Sequence, residues 1–266
     1  MHEEHKPMKK FAEVGFLSDE LAGWTAQTRR DFNAAFATAE RINELAMRML
    51  FDLPAEQMTD AHLLANLCFG RTLQSFQGVI LLAERGALVD ARALLRSCAE
   101  SVIAISALKV DSSMPQLLRE EHDLHRLKLA NALLNGDHAL SAEAANDQRL
   151  IIKEIKAQYG EKGPRRINWE AKAKDGGTAD LYTIAYRQAS IDGVHLTLST
   201  LGRYFADGAG DALPSFRFYP DNSNLDSTLF DACSAMLHAL GVLTDWFGLP
   251  EHHEELRACI EDWKRM

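Results

Sequence analysis

Apolar residues recur at spacings of three and four along almost the whole chain, the period of an amphipathic helix, and the alternation of a strand is nearly absent. From Ser18 to about Phe51, Leu21, Trp24, Thr28, Phe32, Phe36, Ala39, Ile42 and Leu45 share one face. Ser18 is a capping hydroxyl, Asp19 and Glu20 follow where the helix dipole favours acids, and Pro54 closes the run. Thr59 and Asp60 open a second helix through Leu64, Leu67, Phe76, Ile80 and Ala83, and Gly86 stops it. A third, from about Leu88 to Lys109, follows after so tight a turn that the two form an αα-hairpin. Gly70 and Gly78 lie inside the second helix, where each costs about 1 kcal/mol against alanine; close helix approach is the expected motive.

The period continues through a fourth helix (about Pro115 to Leu134, ended at Gly136) and a fifth (Ser141 to Tyr159, ended at Gly160). Residues 160–178 read as an irregular loop in which Trp169 stands out, an aromatic expected to dock on something. Thr178 is read as the cap of a sixth helix through Tyr182, Tyr186 and Ser190, with Gly193 bending or splitting it before Leu196 to Phe205. Residues 207–222 form a second loop, with Phe216 to Pro220 as a short extended piece. Asn222 to Asn224 cap a long helix through Leu225, Phe230, Met236, Leu240 and Leu243; Pro250 breaks it before a last helix with Leu256, Ile260 and Trp263. The expected architecture is therefore all-α: a mobile leader over 1–17, then a single helical domain over 18–266, a bundle of about seven or eight helices with two irregular loops.

Composition fits a protein with an ordinary core, 47% hydrophobic and 25% charged. The polar start, Met1 to Pro7, has no apolar core of a secretory signal, and the longest uncharged apolar stretch, Ala232 to Thr244, is too short for a membrane span. Cys68, Cys98, Cys233 and Cys259 are scattered through apolar runs and form no CxxC pair, which reads as free thiols in the cytoplasm. A formal net charge of −9 disfavours broad binding to nucleic acid or to an anionic membrane.

Four places could carry chemistry. On the third helix, Arg92, Arg96 and Glu100 fall at spacings of four, a row up one side of an otherwise apolar helix. The arginines repel one another, and Arg96 preceding Glu100 is the weaker orientation for a helical ion pair, so local helix stability does not account for the row. It is either a flank paired with neighbouring helices, or a wall that binds a small anion or metabolite by bidentate hydrogen bonds, with Glu100, Tyr186 and Ser190 as partners. Tyr186 and Ser190 share a face; His195 faces away unless the helix bends at Gly193. Glu120, Glu121, His122, Asp123 and His125 resemble a seed for a metal site, although a solvated helix face reads the same way, and no metal or other cofactor is expected. The run His252 to Glu255 is a weaker instance. No phosphate-binding glycine loop, nucleophile elbow or zinc-finger spacing occurs.

Leu82 to Gly86, Ala91 to Ser97 and Glu100, followed in order by Trp169, Tyr182, Tyr186, Ser190 and His195, resemble a widespread bacterial family of helical proteins of unknown function. The pattern spans Leu63 to Phe205 and implies an all-helical fold without an established activity. A more distant resemblance is to the HEPN helical domains, many of them metal-independent ribonucleases that act as dimers. Their signature is an arginine, a polar residue and then, a few positions on, a histidine. Arg187, Gln188 and His195 are similar, with the histidine further along. That resemblance implies His195 as general acid or base and Arg187 as the stabiliser of phosphorane charge on RNA. The expected function is a non-enzymatic interaction or regulatory protein, with a protein partner or a second copy of itself. The alternatives are a HEPN-like ribonuclease or phosphoester binder, and an anion or metabolite binder using Arg92 and Arg96.

Overall fold

Helix boundaries in the computed structural model, which describes residues 9–54, 58–137, 139–191, 197–206 and 215–266, fall largely where capping and breaking residues put them. The order is α1 (Phe11–Val14), a 3-10 turn (Gly15–Leu17), α2 (Leu21–Asp31), α3 (Asn33–Asp52), α4 (Asp60–Ala83), α5 (Leu88–Val110), α6 (Met114–Asn135) and α7 (Ala142–Tyr159). There follow α8 (Trp169–Asp175), α9 (Ala179–Leu181), a π-helical stretch (Tyr182–Arg187), α10 (Leu198–Gly202), β1 (Phe205–Ala206), β2 (Ser215–Phe216), α11 (Leu225–Phe247), a 3-10 turn (Pro250–His252) and α12 (His253–Trp263). The fold is all-α, relieved among the described residues only by the two-residue antiparallel pairing of Phe205 with Phe216 and Ala206 with Ser215.

The count of seven or eight helices is too low because short segments add to it. The expected helix over 18–51 is two, since Phe32 leaves helical geometry (φ −114°, ψ 32°) and serves as the last cap of α2 and the first of α3. Residues 9–17 are fastened to the start of α2: the Ser18 hydroxyl donates to Lys9 O at 2.7 Å, and Phe11 N donates to Glu20 Oε2 at 2.7 Å. Thr59 and Ser141 cap α4 and α7 through the backbone N–H groups of His62 and Ala144. Thr178 does not cap; its hydroxyl donates to Ala173 O. Within 160–178, Asn168 caps the unexpected helix α8, whose first residue, Trp169, packs on the core.

The core draws on α3, α4, α5, α11 and α12 in one cluster. Phe69, Phe76, Ile42, Leu95, Ile105 and Leu229 are fully buried in it, each contributing about 1.5–3 kcal/mol. The α4–α5 hairpin is close-packed at Gly78, where a Cβ would come within 2.4 Å of Leu94 Cδ1. Gly70 has open space beside it, so close approach explains only one of the two glycines. Gly86, at φ +72°, turns α4 into α5, and its carbonyl accepts from Asp221 N at 3.0 Å, seating the chain that leaves β2 on this turn. Among the described residues α11 is the one helix long and apolar enough to cross a membrane, but most of its apolar window lies in the core.

Candidate functional site

The arginine row of α5 splits between two neighbours. Arg92 is buried, and Asp231 on α11 lies within its electrostatic reach; burial still holds the Asp231 carboxyl above its usual range. One turn on, Arg96 faces the segment 182–191, which two of its guanidinium nitrogens grip while the third meets Glu100 on its own helix. Nε donates to Ser190 Oγ at 2.9 Å, Nη2 donates to Tyr186 OH at 2.9 Å, and Nη1 lies 3.2 Å from Glu100 Oε2. The Arg96 Cζ also stands 4.7 Å from the centre of the Tyr186 ring, a cation–π contact. The structure thus brings together Arg96, Glu100, Tyr186 and Ser190, four of the residues singled out in the sequence.

The partner segment takes its shape from its own hydroxyls. Thr183 Oγ1 donates to Ala179 O at 3.0 Å and Ser190 Oγ donates to Tyr186 O at 2.6 Å, four residues back in each case. Such back-bonding loosens and bends a helix, and here the backbone runs in π geometry from Tyr182 to Arg187. Tyr182 and Tyr186 stack at 5.1 Å beneath Arg96. Burial pushes the Tyr186 phenol up, against the pull of Arg96, so it stays protonated at neutral pH. Arg187 lies on the exposed side and takes no part in this cluster. His195 and the expected bend at Gly193 fall outside the described residues, so the Arg187–His195 pairing has no geometry here.

A guanidinium committed through all three nitrogens to its own protein has little left for an anion. The Arg96 cluster is best described as a clasp that fixes the π-helical stretch on α5.

The acidic run on α6 is a clasp too. Glu120 is buried and accepts from Arg165 Nε and Nη2, both at 2.7 Å, and from the Arg165 backbone N–H at 2.9 Å. The Arg165 guanidinium holds the Glu120 carboxyl far down, at about 2. Glu121 Oε2 accepts from Ile167 N at 2.6 Å. These carboxylates are spent on the loop before α8, and among the described residues no group of three His, Cys, Asp or Glu is placed to hold a metal ion. His252, from the C-terminal run, is buried and meets Asp52 at 2.9 Å, joining α12 to the end of α3. The four cysteines are unpaired; burial pushes the Cys98 thiol up to about 12 and Cys68 up to about 11, far from the range of a nucleophile.

Sequence reading passed over the aromatic residues around β1 and β2. Phe11, Phe16 and Phe218 meet edge to face or tilted, and Tyr204, Phe216 and Phe218 lie near-parallel at 6.3–6.5 Å. Arg217 lies over the Tyr219 ring at 4.4 Å. Where this aromatic group meets the α4–α5 turn, a cleft of about 160 Å³ opens, lined in part by Val89, Arg203, Tyr204, Arg217, Phe218 and Tyr219. The signal in the sequence was Phe216-Arg-Phe-Tyr-Pro220, aromatic side chains concentrated in a polar loop.

The model of the family of unknown function DUF5677 matches residues 62–212. The chain belongs to that family. No curated protein and no solved structure matches it. The part shared with DUF5677 contains both sides of the Arg96 clasp and the turn at Gly86, and it ends before β2.

Proposed function

We propose that this chain is a non-enzymatic interaction protein that holds an apolar segment of a protein partner on the surface around α10, β1 and β2. The observation that carries this reading is the number of exposed apolar side chains on these elements. Leu198 is 89% exposed and Phe216 77%; Ile191, Leu201, Phe205 and Phe218 are exposed too, and Phe216 pairs with Phe205 and stacks on Phe218. Concentrated exposed apolar surface marks interaction sites. Over the whole of 182–221 Arg187, Arg203 and Arg217 stand against Asp192, Asp207, Asp211 and Asp221, so apolar contact rather than charge selects the occupant. The Arg96 clasp then has a structural task, to seat the first part of this segment on α5. The cytoplasm is the setting we assign, where four free thiols persist.

Peptide phage display against the whole chain tests the reading. The expected result is enrichment of peptides rich in Leu or Phe, with affinity for the Phe216→Ser variant lower by ~10-fold or more. Peptides that bind this variant equally well overturn it. So does a stable dimer in sedimentation that Phe216→Ser dissolves, which would make the face a self-interface. A single-stranded RNA oligonucleotide that binds this face, or is cleaved with a dependence on His195, would shift the assignment to the ribonuclease reading.

A further inference from the structure

The cleft between the α4–α5 turn and β2 has an amphiphilic lining. Tyr204, Phe218 and Tyr219 give it ring surfaces, and Leu88 and Val89 add aliphatic ones. Arg203 and Arg217 line the same space, and the Arg217 guanidinium lies over the Tyr219 ring. The first turn of α5 adds to the positive potential, because Ala87 offers no capping side chain. Two carboxylates also line the cleft: Asp221, which is engaged by the backbone N–H and hydroxyl of Ser223, and exposed Asp90. The volume of about 160 Å³ sets the size of an occupant. A closed apolar cavity of about 150 Å³ accepts benzene, so the cleft has room for one ring with its substituent turned to the open side.

We propose that this cleft binds a compact aromatic anion, a single ring carrying a carboxylate or phosphate group. The ring lies among Tyr204, Phe218 and Tyr219, and the anionic group meets Arg203 and Arg217, whose planar guanidinium groups suit either oxyanion. The cleft adjoins the partner surface and shares Phe218 with it, but two positions separate the readings. Val89 lines the cleft and is no part of the outer face, while Phe216 is on that face and does not line the cleft.

The test uses four probes on the full chain, followed by ligand-observed NMR and thermal shift: phenyl phosphate, benzoate, benzyl alcohol and inorganic phosphate. At least one of phenyl phosphate and benzoate is expected to bind, and which of them binds more tightly identifies the anionic group. Benzyl alcohol and inorganic phosphate are each expected to be weaker by about tenfold or more. The Arg203→Gln, Arg217→Gln double variant should lose a similar factor, and Val89→Phe should block the cleft. Phe216→Ser should keep the probe while losing the selected peptides, so the two readings fail separately. Unchanged far-UV circular dichroism checks the fold of each variant, and the two routes to a blocked site back each other up. Equal binding of benzyl alcohol and the anions, equal binding of inorganic and phenyl phosphate, full retention in the double variant, or no binding of either aromatic anion at millimolar concentration each overturns the proposal.

Discussion

Arg165 and Arg96 both fasten an irregular segment onto a long helix, and the chemistry of the two grips differs. Arg165 reaches from the loop before α8 to the buried carboxylate of Glu120 and makes two parallel hydrogen bonds of 2.7 Å. The bond across that junction is charged on both sides. Arg96 reaches from α5 to two neutral hydroxyls, Ser190 and Tyr186, and its counter-charge, Glu100, sits on its own helix. Bonds between charged groups contribute about 1.5–3 kcal/mol, against about 0.5–1.5 kcal/mol for ordinary ones. The loop before α8 is therefore locked down, while the π-helical stretch that leads to the proposed partner surface is held more lightly.

Breaking the stronger grip gives the largest effect. Arg165→Ala leaves Glu120 without its cation and should give the largest drop in melting temperature at neutral pH. The pH dependence follows from the low Glu120 carboxyl. A carboxyl near 2 in the folded chain and in its ordinary range when unfolded adds stability above that ordinary range, and this stability is lost as pH falls toward about 2. The gap in stability between wild type and variant should accordingly be full at neutral pH and shrink through that acid window. A gap independent of pH would mean that the clasp acts through packing alone.

The lighter grip comes next. Arg96→Ala removes both cross-segment bonds and should cost about 2 kcal/mol. Its clearer signature is local: hydrogen exchange should quicken over residues 182–191 and leave 165–175 unchanged. Arg96→Lys should restore the charge near Glu100 but not protection, because an ammonium group lacks the planar fork that serves two hydroxyls at once. If lysine restores protection, charge rather than geometry holds the segment.

These two grips were unequally visible in the sequence. The row of Arg92, Arg96 and Glu100 was legible because three charges at a helical spacing interrupt an apolar helix, and Tyr186 with Ser190 announced a shared face by the same arithmetic. The period likewise located α4, α5, α6, α7, α11 and α12, whose apolar stripes are long. Arg165 could not be matched with Glu120, since the two are 45 residues apart and nothing in a local pattern records which loop folds over which helix. The carboxylates of α6 therefore read as a solvated helix face or a seed for a metal site, with no sign of their loop partners. The break at Phe32 was hidden for a related reason: the apolar stripe continues through it, so the period does not report a kink. The π geometry of 182–187 is set by how Thr183 and Ser190 bond backward, a choice the residue types permit without requiring.

The smallest effects bear on whether the lighter grip is rigid. Tyr186→Phe keeps the ring under Arg96 and removes only the hydroxyl acceptor; Ser190→Ala removes the other acceptor and the bond back to Tyr186 O. Each should cost about 1 kcal/mol or less. Their sum is the informative quantity. With Glu100 holding Nη1, Arg96 should stay where it is when either hydroxyl goes, and the double variant should equal the sum of the singles within about 0.5 kcal/mol. A coupling near 1 kcal/mol would instead mean that Arg96 swings to whichever hydroxyl remains. In that case the clasp has two settings, and the surface it supports can be held in more than one position on α5.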